Sequence, residues 1–499
     1  MRAWLSPFGL CSLATALPLV GAALAASGGA APSRVLSLLS LAFLPYAGLL
    51  ALPPGRARPL GALVLAGATG LTLVAAPSVL SDDVYRYRWD ARVSLAGIDP
   101  YAHPPEDPAL AGLRDAQWRR INHREIPTIY PPLAQGLFVL AFGLWPSTAA
   151  LKLLALLCHL LSSALLARAV DALGEAGGRA ASTRATALLA LNPLALSEAA
   201  LGGHVDAAMG LCVLALAIAL HRRRPWRSAL LMAAASGIKL ASLVALPLLW
   251  RFRTGALVVG VVLSLLALLP LSSAGHASPG AVSGVAHYAQ RWRGNEGPFA
   301  VLELATTALV DVVARTYARD GVGPREVELP PLRPLMRRLT GGRLDPNAAL
   351  RAERKQPRPP AIFDRGHLSA LLARGIAAAL CLGLAVWLAL RGHPPAAALR
   401  AVLLSVLLLA PQVHPWYLLW LLPLELALGR RTVLVWSAVI GVAYLPLDGW
   451  LAHRQWVEAP AARVLEYGLV LVSLAFEQWS RRASRAPLEA RVDRPGSPV

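Results

Sequence analysis

The sequence predicts an all-α polytopic membrane protein, and three observations carry that prediction. Of its 499 residues 56% are hydrophobic and only 15% charged, with mean hydropathy +0.52, a balance too apolar for a soluble protein. The excess falls in recurrent Leu-, Ala-, Val- and Gly-rich runs that suit spanning helices, which satisfy their backbone groups internally where no water can. The basic residues stand in short clusters between those runs, where Lys and Arg orient the spans. The formal net charge of +20 therefore belongs to topology, and no nucleic-acid partner is expected. Cys11, Cys158, Cys212 and Cys381 lie inside apolar runs without a CxxC pair, so neither a disulfide framework nor a zinc site is indicated.

Residues 1–80 read as three membrane helices. Trp4 to Ala26 is long enough to span, and although Ala25 and Ala26 could mark a cleaved signal peptide, an uncleaved helix is the expectation. Val35 to Leu52 and Leu60 to Leu80 flank a short basic loop with Arg56 and Arg58, which belongs on the cytoplasmic side. Asp82 and Asp83 then emerge on the outer face. The apolar stretch Ile129 to Trp145 opens on Pro131 and Pro132; were it to span, the later basic loops HRRRPWR and WRFR would point outward. It is expected to lie along the interface, which makes 81–148 an outer loop closed by an interfacial helix.

Residues 149–271 continue with crossings at Leu151 to Val170, Thr186 to Leu201 and Ala207 to Leu220. The run 228–250 has basic clusters at both ends and GIKL in its middle, which predicts a broken, re-entrant hairpin with Lys239 deep in the protein. Ala256 to Leu271 leads into a long outer loop, 272–366, with a Pro-rich basic tract from Arg333 to Arg358. Segment 367–480 holds the C-terminal membrane helices, at Leu368 to Leu390, Ala397 to Ala410, Leu418 to Leu428, Thr432 to Leu445 and Val464 to Phe476. A Pro- and charge-rich tail, 481–499, is expected to be cytoplasmic and disordered. The count is about 12 transmembrane helices plus the hairpin.

This orientation rests on Lys and Arg alone, yet it brings Asp82, Asp83, Tyr130, His204, Asp206, the run His287 to Trp292, and His414 to Tyr417 to one side. In SDDVYRYRWDAR, helical spacing aligns Asp82, Arg86 and Asp90 at i, i+4 and i+8, with Tyr85, Trp89 and Arg92 on an adjoining face. A solvated helix start, with acids favoured by the helix dipole, would show the same pattern. Adjacent like charges raise one another's pKa, however, and ionisable groups at the mouth of a membrane bundle mark function. HVD after two glycines could be a metal pair, a proton relay or a cap; one His and one Asp make no metal site, so capping or substrate contact is expected. Lys239 could snorkel, pair with a carbonyl, or face an anionic lipid headgroup. Trp416 and Tyr417 read as an interfacial belt or as ligand contacts, and His414, between Gln412 and Pro415, is placed for a ligand.

These stretches resemble one known family. SDDVYRYRWDARVSLAGIDPYAHPP followed by IYPPL is similar to the first outer loop of the polyprenol-phosphate-dependent GT-C glycosyltransferases. The resemblance is closest to bacterial family 87 and alpha-mannosyltransferase-like members, and more distant to the mannosyltransferase that builds the GPI core. HVD, GIKL, HYAQRWRGNEGPF and PQVHPWYLLWLLPL also resemble family segments, so the likeness runs to about Leu428. It implies an inverting hexosyltransferase, moving a sugar such as mannose from a polyprenyl-phosphate donor to a glycan or lipid acceptor hydroxyl. Its setting would be the lipids of the bacterial cytoplasmic (inner) membrane, with the active site facing the periplasm or cell exterior. A carboxylate of the first outer loop would act as general base; the matching residues are Asp82 and Asp83, and alignment on Asp90 and GIDPY favours Asp82.

The residues fit that chemistry on their own. A phosphate leaving group needs no strong general acid, so one base suffices, with Arg86, Arg92, Lys239, Arg291 and Arg293 available to stabilise the departing charge. The transition state should be oxocarbenium-like, and Tyr85, Trp89, Trp292 and Trp416 could flank sugar or prenyl groups. Donor and acceptor contacts are therefore expected from Arg86, Asp90, Arg92, Tyr130, His204, Asp206, Lys239, Arg291, Trp292, His414, Trp416 and Tyr417. The adjacent acids could hold a divalent cation, but no sufficient ligand set is visible and no cofactor is expected with certainty. The competing reading is a transporter or flippase of lipid-linked or anionic solutes, which a broken helix pair and a buried lysine would also serve. Polar groups crowded on one face favour the transferase.

Overall fold

A computed structural model describes residues 6–53, 59–173, 179–252, 255–266, 292–316, 326–328 and 362–492, together with 284, 285 and 288. The protein is an all-α polytopic membrane protein. Among the described residues the strands are a short antiparallel ribbon, Glu326–Glu328 with Ile362–Asp364. Among the described residues five helices are long and apolar enough to cross a bilayer: Pro7–Ser27, Pro32–Ala51, Thr148–Leu173, Arg365–Leu390 and Thr432–His453. Pro59–Ala75, Pro132–Leu144, Asp206–His221, Gly255–Leu266 and Pro395–Leu408 are apolar but shorter. About twelve crossings are expected from the sequence; among the described residues five helices, or six if the bent pair Ala180–Ala190 and Pro193–Gly202 counts as one span, meet the length and hydropathy of a crossing, and the other apolar segments are shorter or more interrupted than a single 30 Å span requires.

The chain forms two compact units. The first comprises Met1–Leu80, Ala155–Ile218 and Pro415–Val499. Its interior is tied by buried polar bonds: the Tyr46 hydroxyl donates to the Leu188 carbonyl at 2.5 Å, and the Asn192 amide donates to Ser437 Oγ at 3.0 Å. Asn192 also caps the next helix, its Oδ1 accepting the Ala195 N–H at 2.9 Å. Pro193, lacking an N–H, cannot continue the helix before it. The stretch expected as one crossing from Thr186 is consequently a pair, Ala180–Ala190 and Pro193–Gly202, bent by 49°. It ends in a π-helical turn, Glu198–Gly202, stopped by Gly203 at φ 75°, a left-handed position that suits glycine. The last helix, Pro460–Val492, runs past position 481, where a disordered tail is expected; Arg, Ala, Leu and Glu are all strong helix formers.

The second unit comprises Ser81–Leu154 and Ala219–His414. Here the acidic helix Asp83–Leu95 packs on Pro132–Leu144, with the Tyr87 ring stacked on Phe138 at 4.3 Å. Pro132–Leu144, the stretch expected along the interface, also packs on Pro225–Ile238. That helix stops one residue before Lys239, which is extended at φ −145°, ψ 128°, and the chain continues as the 3-10 helix Leu240–Phe252. The run 228–250 is therefore broken at its lysine. Most of the long loop 272–366 lies outside the described residues.

Candidate active site

Asp82 and Asp83 sit at the start of the Asp83–Leu95 helix. The helix forms here because an acid opens its first turn, Arg92 closes its last, and Arg86 and Asp90 pair at i, i+4. Asp82 occupies the N-cap position, yet its carboxylate accepts no capping hydrogen bond. Instead Asn122 Nδ2 donates to its Oδ1 at 2.5 Å. Burial, and then the neighbouring Asp83 charge, push the Asp82 carboxyl up to about 7. Asp83 is held differently: its Oδ2 accepts the hydroxyls of Tyr87 at 3.4 Å and Tyr130 at 3.3 Å.

Behind the acids lies a buried clamp. Asp90, 1% exposed, takes Arg86 Nε at 2.8 Å on one oxygen. Its other oxygen accepts the Thr128 hydroxyl at 2.6 Å and the Gln135 amide at 3.0 Å. This joins the acidic helix to the IYPPL segment and to Pro132–Leu144. The GIDPY turn reinforces the join, since Asp99 Oδ1 accepts the Tyr101 N–H at 2.8 Å and the Tyr101 hydroxyl donates to the Tyr130 carbonyl at 2.8 Å. Arg86 and Asp90 thus anchor the helix itself. Arg92 points its charge elsewhere, sharing Asp115 with Arg88 at 2.7 and 2.5 Å.

Lys239 approaches the acids through Tyr130, its ammonium 5.5 Å from that ring's centre. His414 belongs to the same neighbourhood: burial, and then the Lys239 charge, depress it to about 3, so the imidazole is neutral. Gln412 Nε2 lies 2.7 Å from His414 Nε2. The segment 411–413 pairs with Gly294, whose carbonyl accepts the Val413 N–H at 3.1 Å. This brings the RWRGNEG motif beside PQVH, with Trp292 against the His123 ring at 4.4 Å. Arg293 is engaged by Glu296 at 3.3 Å and by Glu303. Arg291, a candidate cation, and His287 lie outside the described residues.

The remaining candidates belong to the first unit. His204, fully buried, stacks on Trp416 with ring centres 4.0 Å apart and faces Glu198 Oε2 at 3.3 Å. The Tyr444 hydroxyl donates to the other Glu198 oxygen at 2.8 Å. Asp206 opens the helix Asp206–His221 and accepts Trp420 Nε1 at 2.5 Å, while Tyr417 stacks on Trp420 at 4.4 Å. Among the described residues no group of three His, Cys, Asp or Glu side chains is arranged to hold a metal.

Sequence reasoning missed Asn122, Arg120 and Glu198. Arg120 lies over the Tyr85 ring at 4.2 Å, and its charge acts on Asp82. Asn122 and Arg120 stand in QWRRINHRE, a polar run whose only signal was its place between the acids and IYPPL. No curated protein and no solved structure matches the chain. Residues 12–255, which hold the acid pair, the His204 motif and Lys239, match the MptA_B family, described as Alpha-(1->6)-mannopyranosyltransferase, N-terminal domain, a match that supports a glycosyltransferase.

Proposed function

We propose that the protein transfers a hexose such as mannose, with inversion, from a polyprenyl-phosphate donor to a glycan or lipid hydroxyl on the outer face of a bacterial cytoplasmic membrane. Asp82 is the general base. The observation that carries this reading is the state of Asp82: a carboxyl raised to about 7, beside a second acid, with one oxygen fixed by Asn122. A base poised near the working pH takes a hydroxyl proton most effectively.

In the step itself, Asp82 removes the acceptor proton as the acceptor oxygen bonds to the anomeric carbon. The bond from that carbon to the phosphate oxygen breaks, and polyprenyl phosphate leaves with the electron pair. Lys239 is proposed to meet the charge that grows on the phosphate, since a preorganised cation in a site shielded from water stabilises it without reorganising. Asp83, held by two phenols, keeps Tyr130 and through it Lys239 in register with Asp82. Neutral His414 and its partner Gln412 offer donors and acceptors to sugar hydroxyls, and Trp292 offers a ring face. His204, Asp206, Trp416 and Tyr417 are proposed to contact donor or acceptor, with no chemical step assigned to them.

The test is mannose transfer from polyprenyl-phosphate mannose by purified full-length protein. Asp82→Asn should abolish transfer while the protein still inserts and unfolds at an unchanged temperature. Full activity in Asp82→Asn, Asp83→Asn and the double variant would overturn the reading.

A further inference from the structure

We infer that Asn122 is a positioning residue for the transfer reaction, aiming the Asp82 carboxylate away from its own helix and toward the acceptor; the inference rests on the reading of Asp82 as the base. Three observations lead to it. An Asp at a helix N-cap ordinarily turns its side chain back onto the N–H groups of the first turn. Asp82 sits at that position and makes no such bond, while Asn122 Nδ2 reaches it at 2.5 Å from 40 residues along the chain. The first-turn N–H of Asp83 donates instead to Ser81 Oγ at 3.3 Å, which leaves the Asp82 carboxylate to its own backbone N–H and to Asn122, and a side chain released from its usual local role is expected where it serves function.

The segment that presents Asn122 is itself held in an uncommon shape. The residue after it, His123, is left-handed at φ 43°, a conformation uncommon and strained for a non-glycine residue. The turn is fixed on both sides: the Ile121 N–H donates to the Trp118 carbonyl at 3.2 Å, and the Ile126 N–H to the His123 carbonyl at 3.1 Å. Ile121 and Ile126 are both buried. The structure thus holds a strained turn at the residue beside Asn122.

The two acids also differ in what holds them. Asp83 Oδ2 accepts hydroxyls at 3.3 and 3.4 Å, whereas Asp82 Oδ1 accepts the side-chain amide of Asn122 at 2.5 Å. The charged and titratable groups acting on Asp82 are Asp83 from its own helix and Arg120 from the 3-10 segment Ala116–Arg120. Tyr85 lies beneath Arg120 and feels both Arg120 and Asp82, and buried Lys152 also feels Arg120. Against burial and Asp83, the backbone N–H of Asp82 itself, then the Asn122 amide and the Arg120 charge, favour the ionised form. Removing the amide should leave the carboxylate both misaimed and harder to ionise.

The experiment is the pH dependence of kcat for mannose transfer by the full-length protein, using polyprenyl-phosphate mannose, in wild type, Asn122→Ala, Asn122→Asp and Asp82→Asn. Asn122→Ala should lower the plateau about tenfold and move the acidic limb to higher pH. Asn122→Asp is isosteric, so it guards against loss of the fold, and a third carboxylate should carry the limb further in the same direction. An acidic limb that stays at the wild-type position in either variant, with Asp82→Asn inactive, overturns the role of Asn122 and leaves the base in place. Wild-type transfer by Asp82→Asn overturns the base, and the role of Asn122 with it.

Discussion

The Lys239 ammonium lies 5.5 Å from the centre of the Tyr130 ring, whose hydroxyl donates to Asp83 at 3.3 Å. A cation over an aromatic face and a phenol on a carboxylate make one connected unit, in which Tyr130 holds a positive and a negative group at a fixed separation. Lys239→Met should therefore reduce the transfer rate by about a hundredfold or more if the ammonium meets the leaving phosphate. Lys239→Arg should retain a larger share than Lys239→Met. Tyr130→Phe keeps the ring and loses only the hydroxyl, and a loss of a few fold is expected. Initial rates at saturating donor separate the three, and equal rates for Lys239→Met and wild type would remove Lys239 from the chemistry.

The pH profile of the acid pair has a definite sign. Burial and the Asp83 charge raise Asp82, so the proposed base is ionised, and transfer is expected, only as pH rises through about 7. Asp83→Asn removes a like charge, which lowers the Asp82 pKa and moves the acidic limb toward lower pH. Any lowering of the plateau would report the lost bonds to Tyr87 and Tyr130. Initial rates across the acidic limb read this directly, and a limb that moves upward instead would contradict the assignment.

Much of this was legible in the sequence because membrane insertion constrains it so tightly. Apolar runs and basic clusters gave the all-α class, and the break at Lys239 could be read from a glycine and a lysine between two basic flanks. The bend at Asn192 and Pro193 had a signal too, an Asn-Pro pair inside an apolar run, which the reading of Thr186 to Leu201 as one crossing left unused. In the acidic helix the i, i+4 pairing of Arg86 with Asp90 was visible. What was not visible is that Asp90 spends its second oxygen on Thr128 and Gln135, since those residues come within reach only when the loop closes. Asn122 was hidden for the same reason: its partner is 40 residues away, and no periodicity spans that gap.

In the first unit, Asp206, proposed above as a contact residue, bears structure. Its Oδ1 accepts Trp420 Nε1 at 2.5 Å, and both residues are buried. Trp420→Phe keeps the apolar ring and removes one donor from a buried carboxylate, a change that costs about 1–3 kcal/mol. The expected result is a lower unfolding temperature in detergent. The acidic limb of the rate profile should stay in place, because the bond lies outside the unit that holds Asp82.

Asp90 offers the sharpest test of how the acidic helix is held. Arg86 and Asp90 are 8% and 1% exposed at their side chains, so Asp90→Ala strands a buried guanidinium. A broken buried pair costs about 3–5 kcal/mol, whereas replacing both partners by apolar groups of similar size costs far less. Asp90→Ala should therefore unfold well below wild type, and Arg86→Met with Asp90→Leu should recover most of the loss even though the Thr128 and Gln135 bonds are gone. Activity should follow a different pattern, because without those bonds the acidic helix is no longer tied to the Tyr130 segment. A double variant that regains stability yet transfers sugar about tenfold more slowly would separate the anchoring of the fold from the placement of the acids; one that stays as unstable as Asp90→Ala would show that the bonds to Thr128 and Gln135, and not the ion pair, hold the helix.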